Sequence, residues 1–169
     1  MLNLHWRSLK NYGKNRPILR GRDIKRYDVQ YADLWLINMH NGLKNSEIQP
    51  LDINDYPAIK EHLDIFYDRL AKRADKGVTP YNLRNCAYMN DFSQQKIVWG
   101  NLCLSAQFAL ADENTYINAP SPMIVPGNKY ILAILNSKLG DWYIRQLGVT
   151  RNGGYFEYKP MFVEKLPIP

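Results

Sequence analysis

The sequence predicts a mixed α+β domain, and three observations carry that expectation. Short apolar runs rich in β-branched and aromatic residues fall in separate clusters: "DLWLINM" (33–39), "KIVW" (96–99), "FALAD" (108–112) and "YINAPSPMIV" (116–125). Two other stretches, one between these clusters and one after them, switch to the 3.6-residue period of an amphipathic helix. Turn signals divide the two kinds, and no repeat or low-complexity segment interrupts them.

Taken in order, residues 1–17 are mixed in character and read as an N-terminal arm before a domain spanning 18–169. The stretch "RPILRGRDIKRY" (16–27) reads as a turn carrying unusual charge. Gly21 suits a positive φ, Asp23 suits bonding to backbone N–H groups, and Ile18, Leu19 and Ile24 suit anchoring. The strand at 33–39 closes on "HNG", a turn signal. From Pro57 to Gly77 a helix is expected, with Asp55 as its cap and Ile59, Leu63, Phe66 and Leu70 on its core face. Arg69, Lys72, Arg73 and Lys76 would occupy its solvent side and last turn, where positive charge complements the helix dipole. The second helical region starts near Asn128, breaks at "NS" (136–137) and continues to Gly148. "GGYFEYKPMFVEKLPIP" (153–169) closes the chain as an aromatic strand and a proline-rich exit. Trp99, Trp142, Tyr143, Phe156 and Tyr158 have apolar neighbours and are assigned to the core.

Composition narrows the function classes. A chain of 169 residues with 46% hydrophobic content can bury a core without staples. A formal charge of +6 favours a polyanion or an acidic partner without choosing between them. Cys86 and Cys103 lie far apart, and His5, His40 and His62 lack metal-ligand spacing, so no zinc site is expected. No signal-peptide pattern opens the chain and no apolar run approaches a membrane span. A soluble, cytoplasmic protein without membrane contact is the expectation.

The common catalytic constellations are missing. The glycine pair Gly153–Gly154 precedes a strand rather than a helix, so it is no phosphate loop. There is no nucleophile elbow and no His-Glu-x-x-His motif. "VTPYN" (78–82) partly matches the Asn/Asp-Pro-Pro-Tyr/Phe segment of adenine methyltransferases. It lacks the acidic or amide start and the second proline, and reads as a loop. A non-catalytic chain is expected.

Five segments in order, "LRGRDIKRY" (19–27), "YPAIKEHLDIFYDRLAKR" (56–73), "KIVW" (96–99), "YILAILNSKL" (130–139) and the closing 153–169, resemble the TaqI-like C-terminal specificity domain. That is the target-recognition domain of restriction–modification enzymes, and similar domains build the specificity subunits of type I systems. The resemblance implies a target-recognition sheet with two main helical segments. It also implies that the chain grips duplex DNA and reads a short sequence. A separate methyltransferase domain or subunit would use S-adenosylmethionine to methylate adenine, after flipping the base from a duplex held in register. No cofactor is then expected in this chain, which would be part of a larger enzyme.

On that reading Arg20, Arg22, Lys25 and Arg26 are candidates for phosphate contact, the commonest kind of protein–DNA hydrogen bond. Their alternative is a purely structural turn. Asn82, Arg84 and Asn85, in "YNLRNCAYMN" (81–90), offer donors and acceptors that suit adenine and guanine edges, or else serve their own turns. Arg151 and Asn152 make a similar offer beside flexible glycines. The rivals are a protein-interaction module and, in the enzyme class, a self-contained methyltransferase.

Overall fold

The computed structural model describes residues 15–43 and 47–169, so most of the expected arm lies outside the described residues. The described residues form two compact units: 15–16 with 35–43 and 47–89, and Pro17–Leu34 with Asn90–Pro169. Small sheets and five α-helices among the described residues make the fold α+β, as expected. None of those helices is long and apolar enough to cross a membrane.

The larger unit is organised around β5 (Lys96–Trp99), whose four residues are all buried. β5 pairs antiparallel with β7 (Phe108–Ala111) on one side and β9 (Met123–Ile124) on the other. Period-two alternation gives each face of this sheet its own core. Ile97 and Trp99 join Phe108, Leu132, Leu135, Ile144, Tyr158 and Val163. Val98 joins Leu19, Ile24, Ala109 and Ala111. The second core takes Leu19 from β1 (Asn15–Leu19), whose end runs parallel to β8 (Tyr116–Ile117). It takes Ile24 from the hairpin of β2 (Ile24–Lys25) and β3 (Asp28–Val29).

The helices covering the first core are cut by their caps. Asn128 Oδ1 accepts from the amides of Tyr130 (2.7 Å) and Ile131 (3.2 Å) to start α3 (Lys129–Leu135). Ser137 Oγ accepts from Gly140 N (2.9 Å) to start α4 (Lys138–Leu147), so "NS" divides the region as expected. Gly140 is required at that corner, because a Cβ there would collide with the Ile134 carbonyl. Asn136, between the two helices, is buried and pairs with one residue twice. Its Oδ1 accepts from Phe108 N (3.0 Å) and its Nδ2 donates to Phe108 O (2.8 Å).

A second polar knot closes the far side. Trp99 Nε1 donates to Tyr158 O at 2.6 Å, and the Tyr158 hydroxyl donates to Asp141. Asp141 also accepts from Ala106 N (2.8 Å) and pairs with Arg145 (3.1 Å). Burial, with the Asp141 carboxylate as acceptor, raises the Tyr158 pKa well above its ordinary value. Burial likewise pushes the Cys103 thiol up to about 11.

The smaller unit has a core of Met39, Ile53 and Ile59, with Ile37, Leu51, Leu63 and Tyr81 against it. β4 (Trp35–Ile37) supplies part of the expected strand. The expected single helix is two: α1 (Pro57–Asp64) and α2 (Tyr67–Ala71). Phe66, at φ −110° and ψ 11°, leaves the helical region between them and is exposed rather than core. Tyr56 takes the N-cap position, without a side-chain bond; Asp52, not Asp55, caps the short 3-10 turn Ile53–Asp55 before it. Arg73 and Lys76 lie beyond α2 and bond carbonyls, Arg73 those of Pro80 (2.9 Å) and Asn82 (3.1 Å), Lys76 that of Ala71 (2.6 Å).

Two further expectations fail in the larger unit. Trp142, assigned to the core, is 58% exposed on α4 beside exposed Leu139. The proline-rich exit contains α5 (Pro160–Val163), because proline at the first helical position costs no hydrogen bond.

Replacing Asn136 by Ala should destabilise the chain by about 2–3 kcal/mol, since it leaves the buried Phe108 N–H without its acceptor. Urea denaturation followed by tryptophan fluorescence measures this. A loss below about 0.5 kcal/mol would show that the amide is dispensable.

Candidate nucleic-acid interface

The charged turn at 20–27 is built differently from its sequence reading. A 3-10 turn (Gly21–Asp23) opens where Gly21 comes close to Gly100; Gly21 does not adopt a positive φ. Tyr27 does, at φ 64°, at the tip of the β2–β3 hairpin. Its N–H reaches Phe108 O at 2.9 Å, which pins the tip to β7.

The four cations of this stretch divide. Arg20 is committed inward: Nε and Nη2 meet Asp23 Oδ2 and Oδ1 at 2.9 and 2.8 Å. The Arg20 backbone N–H adds a third bond to the same carboxylate, at 2.9 Å. These bonds, the Arg20 side chain foremost, hold the buried Asp23 carboxyl below its ordinary pKa. Arg26 donates to Asn136 O (3.0 Å) and lies over the Tyr27 ring, its guanidinium carbon 5.0 Å from the centroid. It remains exposed beyond those contacts. Arg22 is exposed and Lys25 half-buried, and neither makes a side-chain hydrogen bond among the described residues. Arg22 and Lys25 thus keep all their donors to offer, and Arg26 keeps Nε and Nη1.

Asn82, Arg84 and Asn85 belong to the smaller unit. Asn82 is only 1% exposed. Its amide N donates to Leu51 O (2.9 Å) and His40 O (3.3 Å), and its Oδ1 accepts from Thr79 Oγ1 (2.5 Å). Both donors are used, so Asn82 leaves the set of candidate base readers. It closes the loop "VTPYN", which is a turn, as expected. Arg84 is exposed and pairs with exposed Asp75 at 3.0 Å, a contact weak enough in water to exchange for a phosphate or a base. Asn85 is exposed, with Oδ1 accepting from Asn41 Nδ2 at 2.5 Å.

Arg151 and Asn152 sit in the larger unit, on a hairpin of β10 (Thr150–Arg151) and β11 (Tyr155–Glu157). Gly153 and Gly154 turn its tip at φ 78° and 79°, a region closed to most side chains. β11 also pairs with β6 (Leu102–Cys103), Phe156 opposite Cys103 and Glu157 opposite Leu102. Asn152 is exposed at the tip. Arg151, with 54% of its side chain exposed, donates to Glu157 Oε1 through Nε (2.6 Å) and Nη2.

Sequence reading missed Glu157, Lys159 and Tyr155. Glu157 is buried yet pairs with two cations, Arg151 and Lys159, the latter at 2.7 Å. Lys159 and then Arg151 hold its carboxyl below the ordinary glutamate pKa. Register puts Arg151, Tyr155 and Glu157 on one face of the hairpin. The signal was present in "TRNGGYFEYK": around a glycine turn, strand alternation aligns Arg151, Tyr155 and Glu157, and the same count of two reaches Lys159.

The family described as the TaqI-like C-terminal specificity domain matches the chain over residues 16–168. No curated protein matches it.

Asp23 and Glu157 make stability depend on acid. Their folded pKa values are depressed, so as pH falls the unfolded chain takes up protons first. The stabilisation is whole above the ordinary carboxylate range near 4 and disappears as pH falls through the depressed folded values. Thermal melts from pH 7 to pH 2 should show this loss, and D23N should flatten part of it. An unchanged pH profile in D23N would separate Asp23 from acid unfolding.

Proposed function

The chain belongs to the TaqI-like C-terminal specificity domain family, the DNA-recognition part of restriction–modification enzymes, and on that premise we propose that it reads a short duplex sequence for a separate adenine-methylating domain or subunit. The observation that carries this reading is the family match itself, which runs over residues 16–168 of a chain of 169. The exposed cations and the glycine-tipped hairpin are consistent with it.

In this reading Arg22, Lys25 and Arg26 grip phosphates and supply affinity without sequence choice. Arg151, Asn152, Arg84 and Asn85 meet base edges, the arginines suited to the O6/N7 edge of guanine and the asparagines to adenine. Arg20 is a structural member of the same turn. The partner would hold S-adenosylmethionine and transfer its methyl group to a flipped adenine, while this chain keeps the flanking duplex in register. We assign no bond-making step to this chain, and place its action in the cytoplasm with the DNA.

Selection from a randomised duplex library with the full chain should enrich one short motif. Affinity for that motif should fall with salt at a log–log slope of about −0.9 per phosphate contact. Failure to bind any duplex at low salt would favour the protein-interaction reading. R84A and R151A should each lose about 1–3 kcal/mol of discrimination at one base pair. Unchanged selectivity in both would remove those two assignments. Calorimetric titration with S-adenosylmethionine should give no saturable heat, and micromolar binding would instead support a self-contained methyltransferase.

A further inference from the structure

Glu157 is 4% exposed, yet both of its partners reach the surface. Oε1 takes Nε and Nη2 of Arg151; Oε2 is ion-paired with Nζ of Lys159, 2.7 Å away. A buried acid that serves only the core would more economically be an apolar residue, since its desolvation offsets much of the ion-pair attraction. Here the acid sits in a strand, and the two cations it fixes come from opposite sides of it in sequence. Arg151 lies in β10 and Lys159 immediately precedes α5. With one edge of its guanidinium tied down, Arg151 keeps Nη1 and the second Nη2 proton for an outside acceptor. Tyr155, opposite Arg151 in register and 43% exposed, stands on the same face.

We infer that Glu157 is a positioning residue for DNA recognition, holding Arg151 toward the acceptor edge of a guanine and Lys159 toward a neighbouring phosphate. The inference rests on the reading of the chain as a DNA-sequence reader. It assigns selectivity to a residue that touches no DNA. A long arginine otherwise retains many rotamers, and each alternative rotamer is a route to a phosphate or to another base.

The test uses the full chain, the selected duplex and the same duplex with each guanine exchanged in turn. E157Q keeps the size of the side chain and removes its charge. It should lose roughly ten-fold or more of the preference at one guanine. Its affinity for unrelated duplex should hold or rise, with a salt slope steeper by up to about 0.9 as a released cation finds a phosphate. A merely structural acid would weaken binding to all duplexes alike, and that result overturns the inference. So does an E157Q that binds every duplex more tightly with its preference intact. Should E157Q fail to fold, R151K serves: it keeps the charge but loses the planar fork, and the same guanine preference should fall. Preference retained in R151K overturns the inference. Absence of duplex binding by the unaltered chain is a distinct outcome, which removes the DNA reading and the inference with it.

Discussion

The corner between α3 and α4 is where the larger unit is tied together. Asn136 presents an amide that copies a strand edge, accepting from Phe108 N and donating to Phe108 O. The same carbonyl of Phe108 receives the Tyr27 N–H, and the backbone carbonyl of Asn136 receives Arg26. Four hydrogen bonds therefore join the hairpin of β2 and β3, β7 and the helical corner. In a buried setting each polar group left unmatched is costly, so the arrangement tolerates little displacement of any member. The charged turn, which starts five residues before Lys25, inherits its placement from this meeting point.

What the sequence made legible was local and periodic. "KIVW" is β5 to the residue, because a short run buried on both faces needs no partner to be recognised. The break at "NS" was visible because cap chemistry is written in adjacent residues. The helix from Pro57 was misread where periodicity kept running after the backbone had turned at Phe66; Leu70 stayed at helical spacing but in another segment. Trp142 was misread because its apolar neighbours Leu139 and Tyr143 do not show which side of α4 faces the core. Among the candidate contact residues, residue type does not show which groups are already committed inside the fold. Asn82 looks identical in sequence to a base-reading asparagine, and only its bonds to His40 and Leu51, distant in sequence, and to nearby Thr79 show that it is filled.

Charge has the same lesson. The basic balance of the chain looks like a general attraction for a polyanion, yet much of it is already answered inside. Arg20 is held by Asp23, Arg73 by carbonyls and Arg145 by Asp141 and the Leu104 carbonyl. Arg145 also lies over the Phe156 ring, 4.4 Å from its centroid. The cations that remain outward are a chosen subset, so the field at the surface is more directional than a count of residues implies.

The hairpin at 150–157 separates what must be kept from what can change. Its stem is fixed by pairing on both sides of β11 and by a buried acid, whereas Gly154 at the tip has no neighbour within 4 Å of where a Cβ would stand. Only the left-handed backbone restrains a substitution there, a cost of about 1 kcal/mol that asparagine largely escapes. New side chains can therefore be tried at the tip without dismantling the frame beneath it. In a population of such chains, diversity would collect in these few codons first, and each variant would pass through folded intermediates.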